Sequence, residues 1–195
     1  MPATALPRAP RAGLRTVELG PADEPLLQAF FEANAAYFLA VQGEPAGPRE
    51  AHDEIHGELP AGWPFTKKWL VACLDGDARP VAMVNVVSDL LAPHVWHIGL
   101  FIVASARHGS GDAQALYRGL EAWVVAHGAQ WLRLGVVQGN ARAERFWESM
   151  GFVETRTRAG IEMGRRTNTL RVMFKPLASG TLEDYLALVE RDRPE

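Results

Sequence analysis

The chain has 195 residues, 48% of them hydrophobic, and its formal net charge is −3 at pH 7. This length and apolar content predict one domain with a sizeable core. The weak negative charge gives no overall basic field for nucleic acid, and the longest apolar runs are far shorter than the roughly 20 residues that span a bilayer. We therefore expect neither a nucleic-acid partner nor a membrane segment.

The first dozen residues, MPATALPRAPRA, contain prolines and arginines but lack the apolar stretch of a secretory signal. We expect residues 1–12 to form a disordered lead, residues 13–195 to form a single domain, and the protein to be cytoplasmic. The one cysteine, Cys73, lies in the apolar run KKWLVACL. An internal disulfide is therefore impossible, and we predict a buried thiol.

The first half of the chain predicts a strand, two helices and three further strands. A short strand is expected over 13–20, an amphipathic helix over 21–42 and a polar helix over 49–59, with Gly/Pro-rich linkers between the helices and after them. Three strand-like runs follow at 67–75, 80–90 and 94–104. Because turn signals separate these runs, the pattern predicts an antiparallel meander.

The second half alternates between helices and strands. Helices are predicted from Gly111 to about Gly128, over 141–150 and over 181–192, and strands over 131–137, 152–158 and 168–177. A crossover through the first of these helices would make the strands at 94–104 and 131–137 parallel. The order predicts an α/β (mixed α+β) fold with a sheet of about six to seven strands flanked by helices. The terminal helix is expected either to mediate a homodimer or to cover the sheet.

A glycine-containing turn, HGSGDA, leads into the helix that starts at Gly111. Gly109 and Gly111 allow a close backbone approach to an anion, and the free N–H groups of the helix would face that anion. A tight connection without a ligand is the alternative. Walker-type and dinucleotide-binding motifs do not match, because no lysine follows the glycines and Gln114 stands where the dinucleotide motif has its third glycine.

Two motifs together resemble the GCN5-related N-acetyltransferase (GNAT) family. The family pattern [Q/R]-x-x-G-x-[G/A] is matched by HGSGDA, with Gly111 and Ala113 in register and His108 in place of Gln or Arg. The pattern N-x-x-A-x-x-F-Y followed by G-F is matched by NARAERFWESMGF, which starts at Asn140. The resemblance extends from about Lys67 to Lys175.

The resemblance implies a fold in which parallel strands 4 and 5 splay apart and hold acetyl-CoA in a V-shaped gap. The backbone of Phe101–Val103 would pair with the pantetheine arm, the N–H groups of His108–Ala113 would hold the pyrophosphate, and the N–H of Ile102 or Val103 would donate to the developing oxyanion. The cofactor-binding residues implied in this way are Phe101, Ile102, Val103, Arg107, His108, Gly109, Ser110, Gly111, Asp112, Ala113, Asn140, Ala143 and Phe146.

The reaction implied is direct attack of the primary amine of a small-molecule acceptor on acetyl-CoA. Two alternatives are a catalytically weak acyl-CoA-binding module and a protein or peptide N-acetyltransferase. The catalytic candidates are His97, as general base, and Asn140, placed near the pantetheine or the leaving thiol. Trp147 stands where many relatives have a tyrosine acid, and an indole N–H cannot serve as one.

Several further side chains near these motifs are given expected roles. Asp112 is expected to face solvent, because a carboxylate pointing inward would repel pyrophosphate. Arg142 and Arg145 either reach the 3′-phosphate of CoA or form a solvated helix face. The aromatic candidates for the wall of the acceptor pocket, each with the core as its alternative, are Tyr37, Phe38, Trp63 and Phe65.

The segment HDEIH places His52 and His56 four residues apart on one helix face, as in zinc-binding H-E-x-x-H motifs. No third ligand is evident in the sequence. We therefore predict no metal site.

Overall fold

The structure, a computed structural model, describes residues 6–178 and 180–194. The first five residues of the expected lead lie outside this range. The strands are β1 (Arg15–Glu18), β2 (Lys67–Leu74), β3 (Pro80–Ser88), β4 (Val95–Val103), β5 (Trp131–Val137), β6 (Val153–Met163) and β7 (Arg166–Pro176). The helices are α1 (Glu24–Ala33), α2 (Ala35–Val41), α3 (Glu50–His56), α4 (Asp112–Ala126), α5 (Ala141–Ser149) and α6 (Leu182–Leu188). Short 3-10 helices occupy Pro21–Asp23, Ser105–Arg107 and Glu190–Asp192.

The strands form one seven-stranded sheet in the order β1-β2-β3-β4-β5-β7-β6. The meander from β1 to β4 is antiparallel, β4 and β5 are parallel, and β7 pairs antiparallel with both β5 and β6. The predicted fold class, the meander and the parallel pair are confirmed.

A separate hydrophobic core lies on each face of the sheet. One face packs against α4 and α5 and includes Trp96, Trp123 and Leu132. The other packs against α1, α2 and α3 and includes Phe31 and Phe38. Burying both faces explains the nearly continuous apolar runs of the central strands.

The helix predicted over 21–42 is broken at Asn34, where α1 ends and α2 begins. Asn34 is buried, and its Nδ2 donates to the carbonyl of Phe30 at 2.7 Å. Its Oδ1 accepts hydrogen bonds from Ser105, at 2.8 Å from the backbone N and 3.3 Å from Oγ. The break arises because an asparagine side chain competes with the backbone for hydrogen bonds and here also binds the loop after β4.

Both ends of the described chain contact the sheet or its helices. Leu6 packs against the α4-side core, and the carbonyl of Pro7 accepts from Thr16 Oγ1 at 2.6 Å. In the last helix, which ends at residue 188 rather than 192, Tyr185 stacks on Phe174 with ring centroids 5.0 Å apart. The terminal helix therefore covers the sheet. The division at residue 12, the homodimer and the cytoplasmic location stay predictions.

The structure also bears on the predicted burial of Cys73 and on the presence of membrane-spanning helices. Cys73 is 3% exposed, so the predicted buried thiol is confirmed, and burial raises its pKa. No helix in the described part of the chain is long and apolar enough to cross a membrane.

Candidate functional site

The parallel strands β4 and β5 separate halfway along their length. They pair only from Val95↔Trp131 to Ile98↔Leu134, after which β4 follows β3 and β5 follows β7. In β4, Leu100 pairs with Asn85 and Ile98 pairs with Val86, so Gly99 is an extra residue. This β-bulge bends β4 away from β5 and opens a gap between them.

The bulge also decides which backbone groups of β4 face the gap. Ala104 N donates to the carbonyl of Val81 in β3, at 2.9 Å. Because alternate residues of a strand direct their backbone groups to opposite sides, Ile102 also faces β3, whereas Phe101 and Val103 face the gap. Of the two oxyanion donors predicted, the register favours Val103 and assigns the N–H of Ile102 to the sheet.

A cavity of about 330 Å³ fills this gap and continues between α2 and α5. Nine of the residues predicted for the site line it: Phe101, Ile102, Val103, His108, Ala113, Asn140, Ala143, Phe146 and Trp147. The other predicted residues, His97, Arg107, Gly109, Ser110, Gly111 and Asp112, are not among its lining residues. The strand, the later helix and part of the turn therefore meet at one cavity, and the binding roles given to these residues stay predictions.

The turn between β4 and α4 leaves open space at its glycines. Gly109 and Gly111 have φ values of +81° and +83°, in the left-handed region that favours glycine. A Cβ atom built on either residue would meet no other atom within 4 Å. With Gly111 as the N-cap of the fifteen-residue α4, the turn has room for an anion beside the helix N-terminus, where Asp112 N already donates to Ser110 Oγ at 3.3 Å.

Asp112, the first residue of α4, points into the protein, contrary to the expectation that it faces solvent. It is 4% exposed and pairs with Arg11, from the segment before β1, and with Arg107, whose Nη1 lies 3.0 Å from its Oδ2. The two guanidiniums, which remain partly exposed, therefore compensate a buried carboxylate. Arg107, expected to add charge to the phosphate site, is engaged by this carboxylate instead.

His108 uses both of its ring nitrogens within the protein. Its Nε2 lies 2.9 Å from the carbonyl oxygen of Val103, and its Nδ1 lies 2.7 Å from Nη1 of Arg142. These contacts fit a neutral ring that donates to Val103 and accepts from Arg142. Arg142 is therefore the cation that His108 holds beside the turn, and it lines the cavity. Of its two predicted roles, contact with the 3′-phosphate of CoA stays a prediction.

Asn140 and Trp147 lie on α5, on the opposite side of the cavity from α2. The Oδ1 of Asn140 accepts from Ala143 N at 3.3 Å, which caps the helix and leaves the side-chain amide as a donor. Trp147 is buried and packs edge-on against Phe101 with ring centroids 5.5 Å apart. It forms a wall of the site, where a tyrosine would have supplied an acid.

His97 does not occupy the position expected of a general base. Its Nδ1 lies 3.3 Å from Nη1 of Arg133. The Nε and Nη2 of the same guanidinium donate to the carboxylate of Asp192, at 2.6 and 2.9 Å. Burial, and then the charge of Arg133, lower the pKa of His97 to about 3. A side chain so weakly basic is a poor proton acceptor.

A carboxylate that the sequence analysis did not single out lies next to the bulge. Glu54 of α3 accepts a hydrogen bond from Asn85 Nδ2, and Asn85 Cγ is 3.5 Å from where a Cβ of Gly99 would be. Burial raises the pKa of Glu54, and the charge of Glu54 in turn helps raise the pKa of Tyr37, which lines the cavity. The sequence did not indicate a role for Glu54, because it is one of several polar residues in α3 and its contact with β3 arises only from tertiary packing.

Asn34 and Tyr37 extend the site beyond the family motifs. Both line the cavity, as the sequence suggested for Tyr37, whereas Asn34 was missed in an apolar stretch predicted to be continuous helix. Phe38 belongs to the core, which was its alternative, and Trp63 lies under the guanidinium of Arg191 at 3.9 Å. Phe65 is 47% exposed and does not line the cavity.

Comparison with known proteins agrees with this geometry. The Acetyltransferase (GNAT) family matches residues 22–152. No curated protein sequence matches the chain significantly.

Among solved structures, an acetyltransferase from Thermus thermophilus is similar, with a TM-score of 0.65 and 21% identity over 84% of this chain and 97% of that one. The ribosomal-protein-S18-alanine N-acetyltransferase of Escherichia coli has a TM-score of 0.64 and 15% identity, covering 87% and 97%. The spermidine N-acetyltransferase of Vibrio cholerae, in complex with CoA and spermine, has a TM-score of 0.65 and 15% identity, covering 85% and 96%. These likenesses show the fold. Since the family match spans more than half of the chain, the protein belongs to the GNAT acetyltransferase family and is an acyltransferase.

Proposed function

We propose that the protein transfers an acetyl group from acetyl-CoA to the primary amine of a small-molecule acceptor. The observation that carries the proposal is the separation of β4 from β5, which turns backbone groups of Phe101 and Val103 toward a cavity ending near the Gly109–Gly111 turn. A strand edge next to an anion-binding turn suits a ligand with amides at one end and phosphates at the other.

The residues present fit acetyl-CoA in this position. The N–H of Val103, next to the turn, would pair with the pantetheine arm, and the start of α4 would hold the pyrophosphate. Arg142 is placed to bind a phosphate, and the amide of Asn140 to donate to the pantetheine arm or the thiol. Bound there, acetyl-CoA supplies a thioester carbonyl that an amine can attack directly.

We further propose that Glu54, acting through a water molecule, accepts the proton that the attacking amine loses. Formation of the nitrogen–carbon bond releases this proton, and β4 itself carries no carboxylate. Glu54 lies beside the bulge, and its raised pKa makes it a stronger base than an ordinary carboxylate. The N–H of Phe101, which also faces the gap and lies nearer the bulge than that of Val103, would donate to the carbonyl oxygen as negative charge develops there.

Cleavage of the carbon–sulfur bond leaves a thiolate, which Trp147 cannot protonate. A thiol with a pKa of about 8.5 is a tolerable leaving group as its anion, so turnover does not require an acid at this position. The missing tyrosine is therefore compatible with catalysis.

The charge beside the cavity indicates which amines would bind. Two arginines lie close to the cavity wall. Arg133 is two residues before Gly135, which lines the cavity. Arg158 is the cross-strand neighbour of Leu170, which also lines it. Arg133 and Arg158 share the carboxylate of Asp192, which leaves a net positive charge. We therefore expect an acceptor whose amine is accompanied by a carboxylate or phosphate, in preference to a polyamine such as the spermidine named for one structural neighbour.

The proposal is tested by titrating the protein with acetyl-CoA and, for comparison, NAD, and then measuring thiol release with a panel of amines. The panel contains amino acids, phosphorylated amines, spermidine and a peptide with a free N-terminal amine. Acetyl-CoA binding with turnover of small anionic amines is the expected result. Tight binding without turnover would indicate the weak acyl-CoA-binding module, turnover of the peptide alone would indicate a peptide acetyltransferase, and no binding at high micromolar acetyl-CoA would refute the proposal.

A further inference from the structure

The two histidines of the HDEIH segment are joined in the folded protein by a third side chain from another helix. His52 and His56 lie on α3 with their ring centroids 4.5 Å apart. Glu24, the first residue of α1, lies 28 positions before His52, yet its Oε2 is 3.1 Å from His52 Nδ1 and 3.7 Å from His56 Nε2. The third ligand that the sequence did not reveal is therefore present.

The separations of Glu24 from the two histidines are close to those that a zinc ion requires. Zinc bonds of about 2.0–2.1 Å in tetrahedral geometry place neighbouring ligand atoms about 3.3 Å apart. The distances from Glu24 bracket this value, and all three ligand atoms lie within 4.8 Å of one another. Two imidazoles and one carboxylate also form a donor set that suits Zn²⁺ better than Mg²⁺ or Ca²⁺, which prefer oxygen ligands.

The helices that carry these ligands are fixed to each other independently of the three side chains. The N–H of Ala51 donates to Gln28 Oε1 at 3.0 Å, and Gln28 Nε2 donates to the carbonyl of Gly47 at 2.9 Å. Gln28 lies one helical turn after Glu24, and Ala51 directly precedes His52. The backbone therefore holds the ligands near one another before an ion binds, which lowers the ordering cost of binding.

Each of the three side chains is partly exposed, between 37% and 43%. An ion can therefore reach the ligands from solvent, and a water molecule can complete the coordination. None of the three lines the acetyl-CoA cavity, so the site is separate from the proposed acetyl transfer. We propose that Glu24, His52 and His56 bind one Zn²⁺ ion and thereby cross-link α1 to α3.

The competing explanation is that Glu24 forms ion pairs with protonated histidines. Zinc binding and ion pairing make opposite demands, because a metal needs neutral imidazoles and an ion pair needs charged ones. A direct metal titration therefore separates the two.

The experiment uses the full chain, free of any histidine tag and stripped of metal with a chelator that is then removed. Calorimetric titration with ZnCl2 is expected to give one ion per chain at micromolar or lower dissociation constant. Glu24→Gln should weaken binding at least tenfold, and H52Q with H56Q should abolish saturable binding. Asp53→Asn is the matched control, because Asp53 is an exposed carboxylate between the two histidines and should leave zinc affinity unchanged.

Cobalt(II) provides a spectroscopic check on the ligands. Visible absorption bands of tetrahedral intensity are expected for the wild type and for D53N, and not for the double histidine variant. Zinc should also raise the melting temperature of the wild type but not that of the double histidine variant, since a ligand that binds only the folded state stabilises it. Unchanged acetyl-CoA affinity in the double variant would show that its fold is intact.

Three results would overturn the proposal. One is the absence of saturable zinc binding below 100 μM in the wild type, on the order of the weakest affinity that a three-ligand site should give. The second is stoichiometric binding that persists in the double histidine variant, which would place the ion elsewhere. If Glu24→Gln lowers stability in chelator while zinc has no effect on the wild type, the cluster consists of ion pairs and the metal proposal is wrong.

Discussion

Among single residues, Glu54 has the largest expected effect on turnover without contributing to acetyl-CoA binding. Its carboxylate accepts a hydrogen bond from Asn85 beside the bulge. Glu54 is not one of the residues proposed to bind the pantetheine arm or the pyrophosphate. We expect Glu54→Gln to lower kcat about 100-fold, at the lower end of general-base effects. The acetyl-CoA dissociation constant should not change. Glu58→Gln, an exposed change just after α3, is the control in the same steady-state assay and titration.

The pH dependence of turnover provides a second test of Glu54. Burial raises its pKa above that of an ordinary glutamate. The carboxylate accepts a proton only when ionised, so the rate should fall as the pH is lowered through this raised pKa and should reach a plateau above it. Measuring kcat against pH in the wild type and in Glu54→Gln checks this. The same acidic limb in both proteins would rule Glu54 out as the base.

Gly111 is expected to control how closely the pyrophosphate can approach the backbone. A Cβ there would project into open space at a φ of +83°, so a valine would cause backbone strain and also occupy the space that the phosphate needs. Gly111→Val should weaken acetyl-CoA binding at least tenfold in a calorimetric titration. Gly62→Val is a matched control, because Gly62 has a φ of +81° and equally open surroundings but lies in the loop between α3 and β2, away from the turn before α4. Equal acetyl-CoA affinities in the two variants would show that the turn does not hold the phosphates.

At the level of helices and strands, the sequence predicts what depends on local pattern. Apolar runs separated by turn signals located β2, β3 and β4, and the two family motifs located the turn before α4 and the start of α5. Two features could not be predicted because they depend on distant partners. The bulge at Gly99 requires the register with β3, and the helix break at Asn34 involves Ser105, 71 residues away.

The start of α4 depends on a segment that the sequence suggested was disordered. Arg11 pairs with buried Asp112, so the residues before β1 are connected to the turn that is proposed to bind pyrophosphate. We expect Arg11→Gln to lower the free energy of unfolding by about 1 kcal/mol, since Arg107 remains to compensate the carboxylate. Urea denaturation measures the loss, with Arg8→Gln, a change in the same segment, as the control. If the two variants are equally stable, the contact of Arg11 does not stabilise the domain.

At the level of the whole molecule, the candidate site is assembled from segments far apart in the chain. The proposed cofactor half, from β4 to α5, matches local motifs, so the sequence could predict it. The proposed acceptor half combines α2 with α3 and the segment after α6. No local pattern encodes these contacts, so the sequence predicts His97 as the base and gives no signal for Glu54.

The ion pair between Arg133 and Asp192 holds the segment after α6 onto the sheet, next to the acceptor half of the site. The Asp192 side chain is fully buried and also accepts from Tyr185 Oη at 2.5 Å. Removing one partner of such a pair leaves an uncompensated charge, so Asp192→Asn should cost about 3–5 kcal/mol of unfolding free energy at pH 7. Glu183→Gln, an exposed change in α6, is the control for urea denaturation.

The pH dependence of stability should identify the same pair. Hydrogen bonds and charge from Arg133 outweigh burial and lower the pKa of Asp192 in the folded state. Its stabilising contribution is therefore complete above the unfolded pKa of about 3.9 and disappears as the pH falls through the lower folded pKa. The stability gap between wild type and Asp192→Asn should narrow over that acidic window, and a gap independent of pH would contradict the assignment. Combining Asp192→Asn with Arg133→Met should recover part of the loss at pH 7, because no guanidinium then remains buried at that position without its carboxylate.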